Sequence, residues 1–150
     1  MDITITGLSF TYPSGVEALR GIDLHIPAGD AVAILGENGA GKTTLVKHLN
    51  GLLRPTAGQV TVGDWNTREH TVAQLARRVG YVFQNPDDQL FERTVIGEVA
   101  FGPKNLGLSA EEARAAALEA LGRVGLERAA DRHPYDLHLS QRKLLALAAI

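Results

Sequence analysis

The chain has 150 residues, 45% of them hydrophobic and 21% charged, with a net charge of −2. That balance supplies one ordinary globular core and excludes a general nucleic-acid surface, which needs clustered Lys and Arg to displace counterions. Cysteine is absent, which excludes disulfides, thiolate metal sites and thiol nucleophiles; no apolar run reaches the roughly 18–20 residues of a membrane span, and residues 1–4 lack a signal-peptide pattern, so a cytoplasmic location is expected.

In chain order, Ile3, Ile5, Leu8 and Phe10 predict a first strand with imperfect alternation. Leu19 to Ile26 predicts a second, closed by the turn Pro27-Ala28-Gly29-Asp30. The apolar run Ala31 to Leu35 reads as a buried strand, followed by a glycine-rich loop and a helix over Leu45 to Leu53. Pro55 to Gly58 breaks that helix, Gln59 to Val62 is a short strand, and Gly63-Asp64 turns the chain. Val72 to Arg78 predicts a brief helix with Arg77 and Arg78 solvated at its end, and Val79 to Phe83 a strongly apolar strand.

The texture changes at about Pro86. Ser109 and Glu112 form a capping-box pattern for a helix running to about Val124, with Gly125 as its stop. A mixed loop over Arg132 to Asp136 precedes an apolar helix from about Ser140. That helix meets no sequence stop signal before Ile150, and a truncated chain is the expectation.

The loop between the third predicted strand and the first predicted helix carries the chemistry. Residues Gly36 to Thr44 read GENGAGKTT and match G-x-x-x-x-G-K-[ST]. The glycines let backbone N–H groups turn inward and cradle phosphate oxygens, so Gly36, Asn38, Gly39, Ala40, Gly41, Lys42, Thr43 and Thr44 are the candidate nucleotide-binding residues. Lys42 is placed to reach the β/γ phosphates and the Thr43 hydroxyl to ligand Mg²⁺. A glycine turn that merely caps a helix is the alternative for this segment. The histidines His25, His48, His70, His133 and His138 show no metal-ligand spacing.

With Tyr12 upstream, Gln84 downstream and a modified signature segment near Leu137, the chain resembles the nucleotide-binding ATPase subunits of ABC transporters along its whole length. The resemblance implies an α/β P-loop NTPase fold of the ABC ATPase type. Its parts are an antiparallel β subdomain, a partial RecA-like parallel sheet core and a helical subdomain, with the C-terminal half missing. Residues 1–150 would form the N-terminal part of one such domain, about 1–85 the β subdomain and P-loop core and about 86–150 the helical subdomain and signature helix. It implies ATP and Mg²⁺ as cofactors, with Tyr12 stacking on the adenine and Gln84 touching Mg²⁺ and the attacking water. Catalytic roles thus fall to Lys42 and Gln84. Each residue has a plainer alternative, edge packing for Tyr12 and a surface position for Gln84; Asp87 and Asp88 read as turn formers.

The run QNPDDQLF, with Val99 to Pro103 and Asn105 to Leu108, is similar to the ATPases of energy-coupling factor importers, which take up vitamins or transition metals. This implies a transmembrane coupling subunit as partner, a peripheral place on the cytoplasmic face of the membrane, and no nucleic-acid partner. Leu90 and Phe91 are either interface or local core.

The signature departs from the family's L-S-G-G-Q: Leu137 is followed by His138, Leu139, Ser140 and Gln141. A Cβ in place of each glycine hinders close backbone approach. Because the signature acts in trans on the partner's nucleotide, the departure points to pairing with a different ATPase subunit. The family's Walker B aspartate, general-base glutamate and switch histidine have no counterpart in the chain, which alone is expected to bind nucleotide and hydrolyse it poorly. A non-hydrolysing regulatory nucleotide-binding module and a soluble ABC-type ATPase remain as alternative readings.

Overall fold

The computed structural model describes residues 1–150, which separate into two compact units, Met1–Gly80 and Tyr81–Ile150. The first unit is built on a four-stranded antiparallel sheet in the order β2-β1-β3-β4, with β1 at Ile3–Thr11, β2 at Glu17–Ile26, β3 at Ala57–Val62 and β4 at Trp65–Asn66. The imperfect alternation of β1 has a structural cause. The ladder with β2 pairs Ile5 with Leu24 and Leu8 with Ile22, so the register slips between them, at a point where Gly7 adopts φ +55°. Such a bulge returns Leu8 and Phe10 to the face already occupied by Ile5, and all three are buried with Leu19 and Val60.

Helix α1, Lys42–Leu49, lays Leu45 and Leu49 on that core. It starts three residues earlier than the sequence pattern suggests and ends four earlier, because Gly51 at φ +74° turns the chain after the C-cap Asn50. Helix α2 is one turn, Val72–Leu75, with Thr71 and Gln74 forming a capping box. Arg78, expected to be solvated, instead lies over the Trp65 ring with its guanidinium carbon 3.8 Å from the centroid, pairs with Asp64 and donates to the Val62 carbonyl. The planar guanidinium stacks on an aromatic face while its N–H groups point outward to acceptors, a geometry that its position in the sequence does not reveal.

The runs Ala31 to Leu35 and Val79 to Phe83 do not form ladder strands. A parallel strand is stable only between neighbours that satisfy its backbone, and no strand of the chain lies beside either run. Leu35 is accordingly 90% exposed.

The second unit is helical: α3 at Val95–Asn105, α4 at Ala110–Arg123 and α5 at Leu139–Ala148. Its core joins Leu90, Val95, Val99, Ala113, Ala117, Leu121 and Leu145, a stripe from each helix. Ser109 caps α4 with its hydroxyl, and Glu112 reaches back to the Ser109 N–H at 2.9 Å. Glu98 is 3% exposed, and its Oε2 accepts from the N–H groups of Phe91 and Glu92 at 2.9 and 2.7 Å. The expected mixed loop over 132–136 contains a 3-10 turn at Pro134–Asp136. No helix of the chain is long and apolar enough to cross a membrane.

Candidate nucleotide-binding site

Gly41 is the pivot of the glycine-rich loop. It is the N-cap of α1 at φ +85°, and a Cβ there would stand 2.7 Å from the Ala18 carbonyl oxygen and 3.0 Å from Leu19 Cδ2. Both the left-handed backbone and the close approach to β2 therefore require glycine. Gly39 shares the positive φ of +85°. No side chain caps the first turn of α1, so its N–H groups remain without a side-chain acceptor.

Lys42 folds back over the loop. Its ammonium donates to the Gly36 carbonyl at 2.8 Å and the Glu37 carbonyl at 2.7 Å, which puts the positive charge over the segment that ends in the uncapped N–H groups. Positive charge, uncapped N–H groups and the N-terminal end of a helix dipole meet at this turn, and together they favour an anion carrying several oxygens. Thr43, next in sequence, is exposed on the first turn, whereas Thr44 is 7% exposed and points into the unit.

Tyr12 directly follows β1 and is half-buried; its hydroxyl shares a 2.9 Å hydrogen bond with Thr44 Oγ1. Its ring meets Phe10 edge-on, with centroids 4.8 Å apart. Phe10 in turn meets His48, which is fully buried and whose Nδ1 is 2.7 Å from the Thr44 carbonyl oxygen. A carbonyl only accepts, so Nδ1 carries the proton. Burial pushes the His48 imidazole below the ordinary histidine range, offset in part by the backbone of Thr44 and then of Arg54. Nε2 has no hydrogen-bond partner of normal geometry. Nothing in the sequence singles out His48, because an isolated histidine on an amphipathic helix has no motif around it.

The second unit carries the remaining candidates. Gln84 is exposed, just before a 3-10 turn at Pro86–Asp88 that Asn85 caps by accepting from the Asp87 N–H at 3.3 Å. Asp87 pairs with Arg142 of α5 at 2.6 Å. Leu90 belongs to the helical core, whereas Phe91 is 64% exposed and sits edge-on to Phe101. The two residues that the sequence left open together thus have opposite fates. His138 is the N-cap of α5, and its N–H donates to Gln141 Oε1 at 3.1 Å; Ser140 is exposed on the first turn.

The ABC transporter family profile matches residues 19–150. The chain belongs to the ABC transporter ATP-binding family. Its P-loop NTPase fold of the ABC type follows from solved cassettes. Over 98% of its length this cassette is similar to cbiO1 from Clostridium perfringens, described as part of the ABC transporter complex cbiONQ, with a TM-score of 0.84, 36% identity and 59% of that chain covered. The ATP-binding cassette MJ0796, a dimer in a post-hydrolysis state bound to ADP and Pi, matches with a TM-score of 0.87 and 29% identity over 98% of this chain and 68% of that one. Among curated proteins, the energy-coupling factor transporter ATP-binding protein EcfA of Methanosphaera stadtmanae is 46% identical over 145 residues, 95% of this chain and 52% of the relative. The cassette chain thus spans about half the length of the curated relatives it matches.

Proposed function

We propose that the chain is the nucleotide-binding part of an ATPase subunit of an ABC-type importer, one that couples ATP binding and hydrolysis to uptake of a vitamin or metal ion through a membrane partner. The observation that carries this reading is the convergence of Lys42, the glycine turn at Gly41 and the uncapped N-terminus of α1 on one loop. The similarity to EcfA and to cbiO1 supports the importer branch.

In this reading Lys42 exchanges its two carbonyl partners for the β/γ-phosphate oxygens, and the backbone of Gly39 to Thr44 donates to the remaining oxygens. Tyr12 offers its ring to the adenine. Thr43 through its hydroxyl and Gln84 through its carboxamide would hold Mg²⁺, which would supply positive charge against the phosphates, and Gln84 would also orient the attacking water. We assign the general base to none of the 150 residues.

His138, Leu139 and Ser140 stand where the family has serine and two glycines, and Gln141 uses its side-chain oxygen to cap α5. The proposed partner is therefore a different ATPase subunit with a glycine-containing signature. That subunit would complete the Lys42 site, while this chain leaves the opposite site weak. Placement at the cytoplasmic face of the membrane follows from the same assignment.

Calorimetric titration of Mg-ATP into the chain, beside Lys42→Ala, tests the site. Saturable binding that disappears in the variant is expected; equal binding by both overturns the assignment. Co-purification of the subunit with candidate ATPase partners tests pairing, and turnover as high alone as with a partner would sink the heterodimer.

A further inference from the structure

Four residues of the first unit, Phe10, Tyr12, Thr44 and His48, close a ring of contacts next to the nucleotide loop, one link of it through the Thr44 backbone carbonyl. Tyr12 shares a hydrogen bond of 2.9 Å with Thr44 Oγ1, and the Thr44 carbonyl accepts from His48 Nδ1 at 2.7 Å. The His48 ring meets Phe10 edge-on at 4.9 Å and 74°, and Phe10 meets Tyr12 edge-on at 4.8 Å and 83°. Thr44 lies one residue beyond Thr43 and two beyond Lys42, so the ring is anchored on the first turn of α1. Tyr12, the residue after β1, is the one member of the four that is only half-buried.

His48 holds this ring from its buried side. Its imidazole contributes a donor for a carbonyl within the helix and an aromatic edge or face for Phe10 at once, a pairing that neither phenylalanine nor asparagine reproduces alone. The arrangement is costly, since Nε2 is buried without a hydrogen bond of normal geometry, where a leucine would bury no polar atom. A residue chosen for packing alone has no need of that cost.

We infer that His48 is a positioning residue for base recognition: through Phe10 and Thr44 it fixes the orientation of the Tyr12 ring, and so sets the base-dependent share of nucleotide affinity without touching nucleotide. The inference rests on Tyr12 being the base platform, as proposed above.

The test compares ATP with inorganic tripolyphosphate, which keeps the phosphate chain and Mg²⁺ but has no base. Affinity for each is measured by calorimetry in the full chain and in Tyr12→Ala, His48→Phe and His48→Asn. His48→Phe keeps an aromatic ring for Phe10 and removes the donor; His48→Asn keeps an N–H near the Nδ1 position and removes the ring. In Tyr12→Ala, ATP affinity is expected to fall about fivefold or more, the low end of base stacking on an aromatic, with tripolyphosphate unchanged. Both His48 variants are expected to lower the ATP-to-tripolyphosphate affinity ratio about threefold or more, in the same direction as Tyr12→Ala.

An unchanged ratio in Tyr12→Ala removes the base-platform reading itself. A ratio that falls in Tyr12→Ala and stays level in both His48 variants overturns the role of His48 while leaving the platform standing. Loss of affinity for both ligands in parallel in the His48 variants shows a general structural role, and also overturns the inference.

Discussion

The α-carbon of Gly41 faces the carbonyl oxygen of Ala18 so closely that a Cβ would stand 2.7 Å from it. Helix α1 and strand β2 are thereby locked at the turn where the proposed phosphate site is formed. Gly41→Ala must move backbone against backbone and also hold alanine at φ +85°. The conformational strain alone is worth about 1–3 kcal/mol. Urea unfolding is expected to show a lower midpoint, and Mg-ATP binding to be lost even where the variant remains folded. A variant with wild-type midpoint and affinity would mean that α1 can slide away from β2 without harm.

Glu98 is predicted to set the stability of the second unit. One oxygen accepts two backbone N–H groups, those of Phe91 and Glu92, in a largely buried position. Glu98→Ala leaves both donors without their partner, at a cost of about 2–4 kcal/mol for the pair. Glu98→Gln keeps an acceptor oxygen and is expected to lose less than half as much. Denaturant unfolding of the two variants is the measurement; equal losses would show that the carboxylate's charge, and not its acceptor geometry, does the holding.

Much of this arrangement was legible in the sequence because it depends on local rules. The phosphate loop requires glycines at fixed offsets, and Ser109 with Glu112 announces a helix start three residues apart. What stayed illegible depends on contacts distant in sequence. Arg78 could be placed only once Trp65 and Asp64 were seen beside it. Leu90 and Phe91 are adjacent apolar residues, and only the fold of the helical unit buries one and exposes the other. The runs 31–35 and 79–83 show the converse. Their composition is that of buried strands, but a strand is a relation between segments, and apolar composition cannot create the neighbour. The sequence pattern does not delimit helix α3, because Gly97, Gly102 and Pro103 interrupt it from within; Thr94, accepting from the Gly97 N–H at 3.1 Å, is the signal that marks its start.

The Ser109–Glu112 box yields a prediction with a defined pH direction. The Ser109 hydroxyl and then its backbone N–H hold the Glu112 carboxyl below its ordinary value of 4.5. A carboxyl with a depressed folded pKa contributes stability that is present above the unfolded value and is lost as pH falls through the folded one. Ser109→Ala is expected to cost about 1 kcal/mol at neutral pH, the usual worth of an N-cap. The difference between wild type and variant should shrink as the pH drops below 4.5. A gap that stays constant into acid would show that the serine hydroxyl contributes without the carboxylate.

His48 gives a second window of the same sign at higher pH. Burial lowers its pKa from 6.5, so between that value and the folded one the unfolded chain binds a proton that the folded chain refuses. Stability therefore rises with pH across the window and falls as the solution is acidified through it. The proton has a structural cost as well: it would load Nε2, which lies buried without a hydrogen bond of normal geometry, while Nδ1 is already committed to the Thr44 carbonyl; the Arg54 backbone offsets part of that cost. Thermal unfolding measured from pH 7.5 down to about 5.5 is expected to show a loss of stability in the wild type that His48→Phe largely removes. Carboxylates contribute little slope in that range, because their ordinary values lie near 4. If the variant keeps the full wild-type slope, the proton uptake belongs to another histidine, and the neutral, buried state of His48 is not what ties the first turn of α1 to pH.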